Sequence, residues 1–239
     1  MNKRIVIAVA MIVVVVAAVF FYYGLTLKSK ELPTSFDYVG GKYNVTLSVF
    51  RDGHSEIEYE DETGNHSEMY FEPQMRTGLD WIINNTSENA IVLCWWDYGH
   101  SIKGYAERNV IARNPSHEWI EMVAIARTDP NAIKEFDSND KVVDVAKAFA
   151  ANNSTETLQI MEKYGATYIV VYKDDLIKTP WMYKVAGLDP MNYRTQFQNS
   201  SWVLNEAGKQ TMISRLLDNQ DTGFALVYQD ASMKVYKID

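Results

Sequence analysis

The sequence predicts an α/β fold: a mixed sheet flanked by helices, preceded by a small antiparallel β region and one N-terminal transmembrane helix. Three observations predict it. Residues 5–25 form a run of 21 residues without a charge. Residues 43–71 alternate apolar and polar side chains at period two between turn signals, as half-buried strands do. From residue 74 onward, helical stripes alternate with β-branched runs, the pattern of strands covered by helices.

The uncharged run comes first. At ~1.5 Å per residue it makes a helix ~31 Å long, enough to cross a bilayer. Lys3 and Arg4 precede it, and Phe20, Phe21, Tyr22 and Tyr23 form an aromatic belt at its far end. The positive flank places residues 1–4 in the cytoplasm and everything after residue 25 outside it, as a single-pass protein of the cell membrane. Lys28 and Lys30 on the far side blur that asymmetry. A cleaved signal peptide is the alternative. The apolar run is long for one, and the bulky aromatics leave no small-x-small cleavage site.

Residues 26–73 follow as a linker and the small sheet. Strands are expected at 43–49 and 56–60, with a turn at Asp52-Gly53 between them. Gly64-Asn65 turns into a third strand around 68–71. A structural or stalk role is expected here. Residues 74–239 form the α/β soluble domain. A helix is predicted at 75–85 and a buried strand at 90–96. Val142, Val143, Val145, Ala146 and Phe149 make a helical stripe behind a cap at 137–139. The helix at 153–164 opens on Asn153 with Glu156 in a capping-box arrangement and stops at Gly165. A strand at 166–172, a helix near 205–218 and a closing hairpin of 224–229 with 233–238 complete the chain. Met69, Met75, Met122, Met182 and Met212 read as core filler.

Composition excludes several functions. The net charge of −8 argues against a nucleic-acid partner, and the single Cys94 excludes an intramolecular disulfide. His54, His66, His100 and His117 form no i, i+4 pair, and one cysteine makes no CxxC, so no zinc site is expected. Gly40-Gly41-Lys42 lacks phosphate-loop spacing, and no Gly-x-Ser-x-Gly elbow is present.

Chemistry concentrates in two places. Trp95-Trp96-Asp97-Tyr98-Gly99 follows the apolar run 90–94. Two indole N–H donors, a carboxylate and a hydroxyl thus gather at a strand's C-terminal end, where open α/β sheets place binding sites. Gly99 is expected to permit a tight turn away from the sheet. His100 beside it either lines the pocket or sits on an exposed loop. The second place is Asp175, Lys178 and Met182, at the i, i+3, i+7 spacing of one helix face. Pro180 interrupts that helix, so the turn is expected at Lys178-Thr179 and the helix start near Pro180.

The pentapeptide resembles the WWDYG signature of the oligosaccharyltransferase catalytic-subunit family, and residues 175–182 resemble its DK motif. Residues 75–83, 106–109 and 164–170 are similar to the family's surrounding text, so the resemblance covers about residues 74–239, in the archaeal type. These enzymes transfer a lipid-linked glycan to Asn in Asn-x-Ser/Thr. The resemblance implies that Trp95, Trp96 and Asp97 bond the acceptor's Ser/Thr hydroxyl, with Tyr98 and Gly99 completing the motif. It implies that Asp175, Lys178 and Met182 complete the acceptor pocket, Met182 packing beside the Ser/Thr.

The family's catalysis needs acidic residues on extracytoplasmic loops between many transmembrane helices. None of the carboxylates in this chain maps onto them. No catalytic residue and no metal ligand is therefore expected here. A divalent metal and a lipid-linked oligosaccharide would act only through a catalytic membrane partner. The expected function is recognition of Asn-x-Ser/Thr acceptor peptides in protein N-glycosylation. The alternatives are a split catalytic-subunit part needing a multi-helix partner, or a surface-anchored structural protein with a relic pocket. The chain's own sequons, at Asn44, Asn65, Asn84, Asn85, Asn152, Asn153 and Asn199, suit a glycoprotein outside the cytoplasm. Asn-rich loops also produce sequons by accident.

Overall fold

The computed structural model describes residues 35–51, 55–68, 73–113, 141–196, 202–220 and 222–238. The expected membrane span at 5–25, the turn at Asp52-Gly53, the cap at 137–139, and His54, Met69, His117, Met122 and Asn199 lie outside the described residues. Among the described residues no helix is long and apolar enough to cross a membrane.

An antiparallel sheet comes first, in the order β1 (Ser35–Gly40), β2 (Val45–Val49), β3 (Ser55–Asp61), β4 (Gly64–Glu68). Its period-two pattern is realised by Val45, Leu47, Ile57 and Tyr59, all buried. Two points differ from the sequence reading. β1 is an additional strand, because Ser35–Gly40 carries no clean alternation to announce it. The last strand starts at Gly64 rather than near 68: Gly64, at φ +123°, already pairs with Asp61, so the turn closes over Glu62-Thr63.

The second sheet is mixed, with β5 (Ile91–Leu93), β6 (Asn109–Val110), β7 (Tyr168–Tyr172), β10 (Ala225–Gln229) and β11 (Met233–Lys237) in the order β10-β11-β7-β5-β6. β5 runs parallel to both β6 and β7, and β11 is antiparallel to β7 and β10. β7 is buried along its whole length, which is why it reads as an unbroken apolar and aromatic run. β5 stops at Leu93, short of the expected 96. Its neighbour β6 has only two residues, and the ladder ends where the Ile111 N–H reaches the Val92 carbonyl. A separate pair, β8 (Arg194–Gln196) and β9 (Trp202–Leu204), completes the strands among the described residues.

The helices pack around the mixed sheet. Arg76–Asn85 buries Leu79 and Ile82, and Lys141–Ala150 buries the whole predicted stripe. Ser154–Tyr164 starts at the expected cap: Asn153 Oδ1 accepts from Glu156 N–H, while the return bond to Glu156 Oε1 comes from Asn153 Nδ2 and not from the backbone N–H of a capping box, both at 3.0 Å. It ends at Gly165 in the left-handed region, φ +67°. The single helix expected near 205–218 is two, Glu206–Lys209 and Met212–Leu217. Thr211 separates them. Its hydroxyl donates to the Gly208 carbonyl at 2.7 Å, and Met212 N–H, the usual helical donor to that carbonyl, goes to Ala151 O instead.

Candidate functional site

The two motifs lie about 80 residues apart in sequence and meet because of strand order. β5 and β7 are adjacent and parallel, pairing Val92 with Tyr168 and Leu93 with Ile169. Whatever follows each strand therefore emerges at the same edge of the sheet. Trp95–Gly99 follow β5, and Asp175 follows β7.

After β5 the chain turns through a short 3-10 helix, Trp96–Tyr98. Trp95 and Tyr98 point into the core, each 2% exposed, while Trp96 and Asp97 stay half-buried. The indoles are tilted at 49° with centroids 6.1 Å apart. Gly99 does not make the expected turn. It has ordinary helical dihedrals (φ −58°, ψ −39°) and opens the helix Gly99–Gly104. A side chain is excluded there for lack of room: an added Cβ would lie 2.5 Å from Arg113 Cα and 2.7 Å from Ala112 O.

After β7 a helix runs Asp175–Val185, straight through Pro180 and not from it. Proline lacks the N–H that would bond the Leu176 carbonyl. Thr179 Oγ1 supplies the donor, at 2.9 Å. The helix therefore survives, and Asp175, Lys178 and Met182 share one face as their spacing predicts.

Lys178 joins the motifs. Its Nζ lies 2.6 Å from Asp97 Oδ2 and donates to the Tyr98 hydroxyl at 2.7 Å. It also sits 4.0 Å from the Tyr98 ring centroid, and that ring packs on Tyr172 at 3.9 Å. Asp175 is wholly buried, and its Oδ2 accepts from Tyr172 N–H at 2.9 Å. Asp97 Oδ1 and Asp175 Oδ1 are buried and accept no hydrogen bond among the described residues. Met182, one turn beyond Lys178, is fully buried in the same cluster as Trp95 and Tyr98.

The electrostatics follow from burial. Desolvation raises the Asp97 pKa, opposed by Lys178. Asp175 is pushed up to about 7 by burial, against the Tyr172 N–H and Lys178, with Asp97 adding repulsion. Burial and the same two carboxylates push the Tyr98 and Cys94 pKa values upward, which keeps both groups protonated. One carboxylate oxygen, Asp97 Oδ1, thus stays buried with no hydrogen-bond donor among the described residues.

His100 is 3% exposed, so it does not sit on an exposed loop; it packs toward the small sheet, with Nδ1 2.8 Å from the Tyr59 hydroxyl. Around it lies a polar cluster with no local sequence signal. Arg113 pairs with Asp61 and donates to Tyr59 OH and Thr63 Oγ1. Burial works to raise the Asp61 pKa, but bonds from Arg113, Thr63 and His66 hold it well below the usual carboxylate range. Among the sequon asparagines, Asn44, Asn65, Asn84, Asn85, Asn152 and Asn153 are exposed. Asn84 and Asn85 donate to the Asp80 and Trp81 carbonyls, and Asn153 is the helix cap.

The chain shares its fold with the C-terminal globular domain of archaeal oligosaccharyltransferase. The chain is similar to that domain from Archaeoglobus fulgidus at a TM-score of 0.52 and 20% identity, over 71% of this chain and 99% of that one. No protein-family model matches. The chain's homologues by sequence are oligosaccharyltransferase subunits. It is 25% identical over 152 residues to the STT3 subunit of dolichyl-diphosphooligosaccharide–protein glycosyltransferase from Dictyostelium discoideum, covering 59% of this chain and 18% of that protein. It is 27% identical over 165 residues to the corresponding Caenorhabditis elegans subunit, covering 64% of this chain and 19% of that protein. The chain therefore spans under a fifth of the length of these curated relatives.

Proposed function

We propose that this chain is a membrane-anchored acceptor-recognition domain of protein N-glycosylation, reading the Ser/Thr of Asn-x-Ser/Thr sequons. One observation carries the reading. In the Trp-Trp-Asp motif, Lys178 holds Asp97 Oδ2, leaving buried Oδ1 without a donor among the described residues. A sequon hydroxyl supplies that donor, with Trp95 and Trp96 beside it and Met182 as the apolar wall. Residues 5–25 anchor the domain, residues 26–73 link and brace it, and residues 74–239 face the acceptor outside the cytoplasm. Glycan transfer belongs to a multi-helix membrane partner holding the divalent metal and the lipid-linked oligosaccharide.

The test is peptide titration of the isotope-labelled full chain in detergent micelles, followed by NMR. A single hydroxyl pocket contributing ~4 kcal/mol gives a Kd near ~1 mM. Shifts should cluster at Trp95, Trp96 and Met182 for an Asn-x-Thr peptide and vanish for Asn-x-Ala. Asp97→Ala should weaken binding by about 1.5–3 kcal/mol, the worth of a charge-assisted hydrogen bond. Equal responses to both peptides would leave a surface protein with a relic pocket as the better account.

A further inference from the structure

The helix that carries Asp175, Lys178 and Met182 inward has an unusual outer face. Leu176 is 46% exposed and Ile177 71% exposed. Pro180 and Trp181, both half-buried, continue the same face at i+4 and i+5. Met191, 57% exposed, lies on the short 3-10 helix Pro190–Tyr193 that packs against this helix. Single exposed apolar residues are ordinary, but two adjacent exposed aliphatics, flanked on one helix face by a half-buried proline and tryptophan, form a patch. Lys173 precedes the face and Lys184 follows it.

A series of contacts ties this face to the place where the N-terminal segment enters the fold. Ser35 opens β1, and Asp37 two residues on pairs with Arg76 at 2.8 Å. Gln74, just before Arg76, accepts from Ser232 Oγ at 3.0 Å. The Ser232 carbonyl accepts from Lys173 N–H at 2.9 Å, and the Asp175–Val185 helix begins two residues later. The entry point and the start of this helix are thus linked through Asp37, Arg76, Gln74 and Ser232. Residues 26–34, fully extended, reach at most ~30 Å, so Ser35 stays within that reach of the expected anchor.

We propose that the outer face of the Asp175–Val185 helix rests in the interfacial layer of the lipid bilayer. This rests on the reading of residues 5–25 as an anchor. Lipid suits the face better than a protein partner does. The face pairs exposed aliphatic side chains with a tryptophan between lysines, the combination favoured at membrane interfaces.

The experiment uses the full chain in phosphatidylcholine vesicles. An environment-sensitive fluorophore is attached at Ile177→Cys or, as a control, at Gln159→Cys on the exposed side of the Ser154–Tyr164 helix. Cys94 is fully buried and leaves the introduced thiol as the reactive one. Flotation of the vesicles reads the anchor separately from the face. The expected result is blue-shifted emission at position 177, quenched by brominated lipid, with neither effect at 159. Equal emission at both positions in chains that float overturns the proposal and spares the anchor. Chains that fail to float overturn both. A blue shift at 177 that needs a co-reconstituted multi-helix membrane protein overturns the lipid assignment and gives the face to that partner.

Discussion

Asp175→Asn isolates the electrostatic cost of the buried cluster. Asp175 is fully buried and its pKa is pushed up to about 7. In an unfolded chain the same group titrates near ~3.9. The folded state therefore holds this proton more tightly than the unfolded state. The resulting stability is fully present below pH ~4 and is lost as pH rises through about 7. A gap of about three pH units corresponds to a loss on the order of 4 kcal/mol across that window. Asparagine has nearly the same shape, does not titrate, and keeps an oxygen for the Tyr172 N–H. Urea unfolding of the full chain in detergent micelles, from pH 4 to 8, gives the comparison. The wild type should lose roughly 4 kcal/mol more than the variant over this range, and the variant should be the more stable of the two at pH 8. Asp97 repels Asp175, so the measured difference belongs to the coupled pair of carboxylates, with Asp175 the more deeply buried of the two. Parallel stability curves would refute the argument, because Asp175 would then be charged in the fold at no cost.

Three further expectations concern the same elements. Lys178→Met and Asp97→Asn, combined in a double-mutant cycle by urea unfolding, should show coupling of about 1.5–3 kcal/mol, since both side chains are largely shielded; additive effects would mean the pair contributes nothing. Gly99→Ala should cost about 1–3 kcal/mol, because the new methyl meets the Arg113 and Ala112 backbone; thermal unfolding measures it, and an unchanged midpoint would show that the backbone yields freely. Thr179→Val should cost about 1–3 kcal/mol by leaving the Leu176 carbonyl without its hydroxyl donor; serine in place of valine should restore most of the loss, and equal effects of Val and Ser would remove that explanation.

Legibility in the sequence tracked how local the determining interactions are. β7 declared itself by composition, the helix after Asn153 by a reciprocal cap three residues long, and the Lys141–Ala150 stripe by its period. The two motifs were also readable, and their meeting follows from the parallel β5–β7 pair. Local rules failed where a distant or unconventional partner stepped in. Pro180 should have started a helix, but the Thr179 hydroxyl replaced the missing donor. Gly99 looked like a turn residue, while its role is clearance for the Arg113 backbone, fourteen residues on in sequence. The 205–218 stripe hid a break because Met212 N–H finds Ala151 on another segment. The Arg113–Asp61 pair spans 52 residues and has no pattern at all to betray it.

The helix Gly99–Gly104 is six residues long, and every one of them is buried. Glycine stands at each end for the same reason: a Cβ at Gly99 would strike Arg113, and one at Gly104 would come within 2.6 Å of the Tyr59 ring. The rod is thus wedged between two bearings, with His100 bolted to Tyr59 along its length. The Trp-Trp-Asp turn is fused to its first residue. Any displacement of that turn must be passed to Tyr59 and Arg113, and any slackening of the antiparallel sheet returns by the same route. The sheet works as a splint for the site, and a packing mutation at Tyr59 would register as lost precision at Asp97, on the far side of the rod.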